Sequence, residues 1–154
     1  MLSDRIVGAL TFRKGVYAEV EQDTGFTHTA WVLVVVISFL GQLGAQASGN
    51  IGQWLVGTVT GTAFAVIGFA MSAFVVAWVG RAAFRADVNF GEMVRTLGLA
   101  YVWTAIGIIG ILAAMSGALA TLLGPVTFVA AIAGLVAWCF AAKEALDRIQ
   151  PMNR

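Results

Sequence analysis

Two long stretches of this chain contain no Asp, Glu, Lys or Arg: residues 24–80, a run of 57 residues, and residues 96–142, a run of 47. A charged side chain at the centre of a bilayer costs about 2.5–3.5 kcal/mol, so long uncharged apolar stretches indicate membrane-embedded segments. A helix crosses the hydrocarbon core in about 20 residues, which makes each stretch too long for a single span. The pattern therefore predicts two hairpins, each made of two transmembrane helices.

Each uncharged stretch contains a segment where a turn is expected. Residues 46–53 are polar and glycine-bearing, and residues 115–125 end at Pro125, which suits the first turn of a new helix. The predicted fold class is an all-α polytopic membrane protein whose four transmembrane helices form two hairpins. The predicted helices are residues 29–45, 54–79, 97–114 and 126–142, within a domain at 28–149 that includes a cytoplasmic loop at 80–96 and precedes a tail at 150–154.

The first 27 residues have a different pattern, with apolar residues at three- and four-residue steps among polar ones. We expect a short amphipathic helix at the cytoplasmic interface of the membrane, with Arg13 and Lys14 toward the lipid headgroups. A docking helix for a soluble partner is the alternative. The segment carries four acidic residues and lacks a long apolar core, so no cleavable signal peptide is expected.

Basic residues set the expected orientation. All nine Lys and Arg residues fall in the N-terminal segment, the middle loop or the C-terminal tail. The positive-inside rule therefore predicts that both termini are cytoplasmic. In the loop, Asp87 or Asn89 can cap a helix that starts near Phe90, with Glu92 in its first turn. Five cations are candidates for binding lipid or a partner: Arg13, Lys14, Arg81, Arg85 and Arg95.

Composition agrees with a membrane protein, at 60% hydrophobic and 11% charged residues, where soluble domains have about 25% charged. The net charge of +1 gives no basic surface for phosphates, so no nucleic-acid partner is expected. A lone cysteine excludes a disulfide framework. Four tryptophans are expected to anchor the bundle at the membrane interfaces: Trp31, Trp54, Trp78 and Trp138.

Candidate chemistry inside the membrane is limited to hydroxyls, amides and small residues. The predicted spans carry no ionisable group at depth, so no catalytic residue, cofactor or metal site is predicted, and the histidine, His28, lies at the membrane edge. Small residues four apart allow close helix approach, and Gln42 is the polar residue most suited to cross-link helices. The candidate helix-packing residues are Gly57, Gly61, Gln42, Gly110 and Gly134.

Residues 5–11, 16–20 and 85–101 resemble the opening and the loop-to-helix region of YIP-domain membrane proteins, in particular short prokaryotic members. That resemblance implies a polytopic protein of the prokaryotic inner membrane. Family members commonly have five spans, whereas four are predicted here. A proline often follows the alanine-tyrosine pair in the family, but Val102 follows Tyr101 in this chain. Binding of Rab-type GTPases, implied for eukaryotic members, is not carried over.

Three functions are compatible with these features. The first is a non-catalytic scaffold or adaptor that binds membrane lipids or other membrane-protein subunits. The second is an accessory subunit of a respiratory or photosynthetic complex, which the charge-free, glycine-rich bundle would suit. The third is a small transporter of a neutral solute, since a charged solute would call for intramembrane charge.

Overall fold

The computed structural model describes residues 2–13, 15–47, 49–84 and 88–147, with backbone alone at 83–84 and 144–147. Almost all of this part of the chain is helical. Its elements are α1 (Leu2–Leu10), α2 (Val16–Gln22), α3 (Phe26–Ala45), α4 (Ile51–Phe84), α5 (Phe90–Ala100), a 3₁₀ segment (Tyr101–Ile109), α6 (Gly110–Met115) and α7 (Gly117–Asp147).

Four helical stretches within the described residues are long and apolar enough to cross a membrane. They are Phe26–Ala45, Ile51–Ala82, Phe90–Met115 and Gly117–Lys143. The third combines α5, the 3₁₀ segment and α6, and we call it the third span. The predicted all-α, multi-pass membrane fold with four spans is therefore confirmed.

The helices are longer and the turns shorter than the sequence predicts. The turn expected over residues 115–125 is wrong, because Ser116 alone interrupts the helix there, with extended backbone angles of −159° and 133°. Pro125 lies inside α7 and not in its first turn. A helix satisfies its own backbone polar groups, which lipid cannot do, so continued helix is favoured over a long loop, and one proline is tolerated.

The spans form a row. α3 lies between α4 on one side and the third span on the other, and α7 packs on the far side of the third span, while α4 and α7 touch at few points. The row closes at the end where α5 lies, because α5 contacts both outer helices as well as α3. Eight consecutive residues of α5, Met93 to Ala100, are buried there.

α5 begins with a capping box. The side chain of Asn89 accepts a hydrogen bond from the backbone N–H of Glu92, and the Glu92 carboxylate accepts one from the backbone N–H of Asn89. Of the two predicted caps, Asn89 is therefore confirmed, while Asp87 lies outside the described residues. Mutual satisfaction of two donors fixes where the third span starts.

The N-terminal segment folds as two short helices where one is predicted. α1 and α2 are separated by a tight corner in which Phe12 and Gly15 have positive φ angles of 52° and 82°. Both helices pack onto α5. We call α1, α2 and the part of α5 that they cover the terminal layer. The position of α1 on a bilayer surface stays a prediction.

Candidate functional site

Glycines bring α3 and the third span together backbone to backbone. A Cβ added at Gly44 would lie 2.9 Å from the carbonyl carbon of Gly107 and closer still to its oxygen, and one added at Gly110 would lie 2.7 Å from the Gly44 oxygen. A Cβ at Gly107 would lie 3.2 Å from the Cα of Gly41. A Cβ does not fit at Gly44 or Gly110, and one at Gly107 or Gly41 would require the facing backbone to shift by a few tenths of an ångström. We call the four residues the glycine seam.

The 3₁₀ conformation explains the spacing of the seam. A 3₁₀ helix has three residues per turn, so side chains at i and i+3 lie in one straight row. Thr104, Gly107 and Gly110 form such a row, and the carbonyl oxygen of Thr104 lies 3.3 Å from the Cβ position of Gly41. The glycine pairs Gly41–Gly44 and Gly107–Gly110 therefore face one another at a common spacing of three.

On its side toward α7 the 3₁₀ segment leaves a cavity of about 420 Å³, which Thr104 and Gly107 of the seam row also border. Its lining is apolar apart from a few hydroxyl groups and aromatic edges. The Thr104 hydroxyl donates to the carbonyl of Tyr101 at 2.7 Å, and the Thr127 hydroxyl donates to that of Gly124 at 2.8 Å. Both hydroxyl donors are thus already used inside their own helices. The cavity is lined by Ala100, Tyr101, Trp103, Thr104, Ile106, Gly107, Thr127, Ala130, Ala131, Gly134, Leu135 and Trp138.

Arg95 holds the terminal layer from within. It is only 6% exposed, and its Nε donates to the carbonyl of Glu21 at 2.9 Å while its Nη1 donates to the Thr27 hydroxyl at 3.1 Å. Glu21 belongs to the last turn of α2, where carbonyls lack helical partners and the helix dipole is negative. The expectation that Arg95 forms part of a lipid- or partner-binding surface is therefore wrong, because its guanidinium is buried and hydrogen-bonded to the end of α2.

A second arginine ties α1 to the start of α3. The Arg5 guanidinium lies 2.7 Å from the Asp23 carboxylate and stacks over the Phe26 ring at 5.0 Å from its centroid. The hydrogen bond from Arg5 lowers the pKa of Asp23 below its usual value. This contact closes the short connection between α2 and α3 on its outer side.

Phe12 links the corner between α1 and α2 to two spans. Its ring stacks on Trp103 of the third span, with centroids 5.5 Å apart, and meets Phe140 of α7 edge-on at 6.3 Å. A non-glycine residue with positive φ is strained. The aromatic contacts therefore hold Phe12 in a backbone conformation that it would otherwise avoid.

The glycines and the glutamine singled out as packing residues all lie at helix contacts. Gly57 and Gly61 of α4 face the side chains of Gln46 and Gln42, and a Cβ added at Gly134 would lie 3.2 Å from the Cβ of Trp103. Gly110 belongs to the glycine seam. Gln42 differs from its expected role: its Oε1 accepts from Gln46, the residue that follows α3, so its contact with α4 is packing against Gly61.

The other candidate cations are divided between the surface and the undescribed residues. Arg13 and Arg81 are exposed. Arg13 pairs with the Glu19 carboxylate at 3.1 Å, and the Arg81 Nε donates to the carbonyl of Ala77. Lys14 and Arg85 lie outside the described residues. Within the described residues, the candidate cations therefore do not form one cluster.

The tryptophans have mixed surroundings. Trp78 is 59% exposed on α4. Trp31 is partly buried against Phe69, with ring centroids 5.8 Å apart, and Trp138 lines the cavity. The Trp54 indole N–H donates to the carbonyl of Leu43 at 2.8 Å, which ties the start of α4 to the end of α3.

Sequence reasoning missed the glycine seam on α3, the cavity and the contacts of Phe12. The repeat of glycine at a spacing of three, in Gly41–Gly44 and Gly107–Gly110, was the sequence signal that pointed to the seam. Within the part of the chain that the structure describes, no group of three His, Cys, Asp or Glu residues is placed to hold a metal ion.

Comparison with known proteins identifies no relative of this chain. No family model, no curated protein and no solved structure matches this chain.

Proposed function

We propose that this protein is a non-catalytic membrane scaffold, and that its terminal layer is the surface that binds a protein partner. The observation that carries the proposal is the way the layer is anchored. Buried Arg95 holds the end of α2, the Arg5–Asp23 pair holds α1 to the start of α3, and Phe12 rests on two spans. A surface fixed in this way can bind a partner without an ordering cost.

The outer side of the terminal layer has the composition of a binding surface. Exposed Asp4, Arg13 and Glu19 place both signs of charge beside exposed apolar side chains such as Val7. Mixed charge around apolar residues suits recognition of a protein surface, since the charges select the partner and the apolar residues supply burial. The predicted cytoplasmic loop at 80–96, whose arginines are candidates for binding a partner, includes residues 85–87, which lie outside the described residues.

The location is part of the same proposal. We place the terminal layer on the cytoplasmic side, because all nine basic residues belong to segments on that side of a four-span chain. The resemblance to short YIP-domain proteins supports the inner membrane of a prokaryote. Labelling of a single cysteine at Asn50 from outside intact cells, and at Gln22 only after lysis, is the expected result. The reverse pattern would overturn this orientation.

Photo-cross-linking in native membranes tests the scaffold role. A photoreactive amino acid at exposed Gln22 of α2 should give one discrete protein adduct, because the partner lies on the terminal layer. The matched control is Phe64 of α4, which is 75% exposed on an apolar helix and should label lipid. Failure to obtain a protein adduct from Gln22, Glu19 or Ser3 would contradict the scaffold proposal.

A second candidate is supported by one feature of α7. Only 6% of an apolar 18-residue stretch of its span is buried, the smallest such share among the four candidate spans in the described residues. An accessory subunit of a larger membrane complex could cover that face with another subunit. In that case the same photoreactive residue at Ile132 would give a protein adduct, whereas contact with lipid alone would count against the second candidate.

A further inference from the structure

We propose that the cavity between the 3₁₀ segment and α7 binds one acyl chain of a membrane phospholipid from the leaflet nearer the terminal layer. This inference concerns a different surface from the scaffold role and can hold or fail without it. It rests on the position of the cavity, on its shape and on the chemistry of its lining.

The position of the cavity follows from helix geometry. Lys143 ends the fourth span, and Phe140, three residues earlier, contacts Phe12 at the corner between α1 and α2. At about 1.5 Å per residue, Trp138 lies about 7–8 Å from Lys143 along α7, and Thr127 lies about 24 Å away. The hydrocarbon core is about 30 Å thick, so the cavity begins near the interface and extends about 9 Å past the middle of the bilayer. Its nearer half lies at the depth of the acyl chains of that leaflet.

The shape of the cavity is elongated along the two helices. Its lining on α7 runs from Thr127 to Trp138, about 16 Å of helix, and on the third span from Ala100 to Gly107. Small residues form much of the wall, among them Ala131 and Gly134. A volume of about 420 Å³ falls within the range of small-molecule sites, about 300–1,000 Å³. A flexible chain fits a long, small-residue wall better than a compact polar molecule does.

The chemistry of the lining disfavours water as an occupant. A buried water needs about three hydrogen bonds. The hydroxyl donors of Thr104 and Thr127 are committed to main-chain carbonyls, and the rest of the wall is largely hydrocarbon and aromatic. An acyl chain needs no hydrogen-bond partner and gains dispersion contacts with the wall. The membrane supplies such chains at high concentration.

Labelling by a photoactivatable lipid tests the proposal. The full-length protein is reconstituted in vesicles of phosphatidylcholine whose acyl chain carries a diazirine, and adducts are mapped by peptide mass spectrometry. We expect Ala130, which is 8% exposed, and Trp138 to be labelled more than Phe128 and Val129, which are 67% and 64% exposed on the open side of α7. Labelling that simply follows exposure would overturn the proposal, because it would describe bulk lipid.

A cavity-filling variant sharpens the test. Ala131→Phe places a ring in the cavity and should lower labelling at Ala130 and Trp138 about tenfold. Ala63→Phe makes the same change at an exposed position on α4 and should leave that labelling unchanged. Ala131→Leu provides a smaller filling group if the phenylalanine variant does not fold. Equal labelling in Ala131→Leu, Ala63→Phe and wild type would contradict the assignment.

Other occupants give different results. Native mass spectrometry of the protein from its own membrane would detect a retained non-lipid molecule, and a second copy of the chain in the cavity would appear as a dimer that Ala131→Phe dissociates. Either result would overturn the acyl-chain assignment. Neither affects adduct formation at Gln22, so failure of this proposal is distinguishable from failure of the scaffold role.

Discussion

The 3₁₀ segment meets its two neighbours in opposite ways. Toward α3 it presents glycines, and the two backbones approach until a single added methyl group would collide with Gly107. Toward α7 it leaves a cavity of about 420 Å³, with Gly134 against the Cβ of Trp103 as a close contact beside it. One short helix therefore forms both a tightly packed contact and an open one.

This difference shows where the fold is specified. Without a hydrophobic driving force between helices in lipid, close packing supplies much of the association energy. The contact of α3 with the third span has that packing, while α7 gains less from its neighbour and leaves most of its surface to the membrane. We expect α3 and the third span to form the rigid unit of the molecule, and α7 to be the helix that adapts to ligands or partners.

The largest expected effect comes from breaking the tight side. Gly44→Ala should lower the free energy of unfolding by about 2–3 kcal/mol, because the new Cβ meets the Gly107 backbone, which cannot rotate away as a side chain would. Unfolding in mixed micelles by added dodecyl sulfate measures this change. Gly68→Ala is the matched control, since no atom lies within 4 Å of its Cβ position. An equal loss in both variants would contradict the seam.

A somewhat smaller effect is expected at Arg95, which belongs to the same tightly enclosed span. Arg95→Met should cost about 1–3 kcal/mol, because the Glu21 carbonyl loses its donor in a buried place. Hydrogen exchange of the α2 amides should become faster. Arg81→Met, which removes an exposed arginine, should leave that exchange unchanged. Unaltered protection of α2 in Arg95→Met would mean that the arginine does not hold the terminal layer.

Phe12 offers a paired test beside the open contact, since its ring touches both the third span and α7. Phe12→Ala should lose the two aromatic contacts and keep the strain of a positive φ angle. Phe12→Gly loses the same contacts but relieves the strain, so it should be more stable than Phe12→Ala by about 0.5–1 kcal/mol. The two variants are compared in the same dodecyl sulfate titration. A more stable alanine variant would show that φ at this corner is negative.

The open side should tolerate added volume. Ala131→Leu points into the cavity and should change the free energy of unfolding by no more than about 0.5 kcal/mol. The same substitution at buried Ala30, whose Cβ lies 3.1 Å from the Cβ position of Gly98, should be strongly destabilising. Similar losses at the two alanines would remove the contrast between the two faces of the third span.

The smallest expected effect is a titration in the terminal layer, away from both faces. Because Arg5 lowers the pKa of Asp23, the ion pair stabilises the fold above the unfolded carboxyl pKa of about 3.9, and this contribution is lost as the pH falls through the lower folded value. Carbon-13 NMR of the Asp23 carboxyl should report a higher pKa in Arg5→Gln than in the wild type. An unchanged pKa would show that the pair does not form in solution.

The number of spans could be predicted because charge is expensive in lipid, so its absence over residues 24–80 and 96–142 marks the membrane directly. The structure of residues 115–125 could not be predicted in the same way. The preference of proline for the first turn of a helix is weaker than the cost of unpaired backbone polar groups in lipid, so the chain stays helical through Pro125. Local residue preferences decide caps such as Asn89, where the whole interaction lies within four residues.

The site was harder to predict because its residues act across elements. Arg95 has the sequence context of a solvated loop charge, and only the fold brings the end of α2 onto it. A spacing of four between small residues is typical of contacts between α-helices. That spacing includes Gly110 but not Gly107 or Gly44, because the third span repeats every three residues where it meets α3.

The 3₁₀ conformation and the glycine seam depend on each other through rotation. A residue turns by about 120° in a 3₁₀ helix and about 100° in an α-helix, so converting all nine residues to α-helix would rotate α6 by about half a turn relative to α5. The third span would also shorten by about 4–5 Å. Gly110 would then face away from Gly44, and a bulkier part of α6 would be turned toward α3. The 3₁₀ winding of this span therefore determines which face of α6 is turned toward α3.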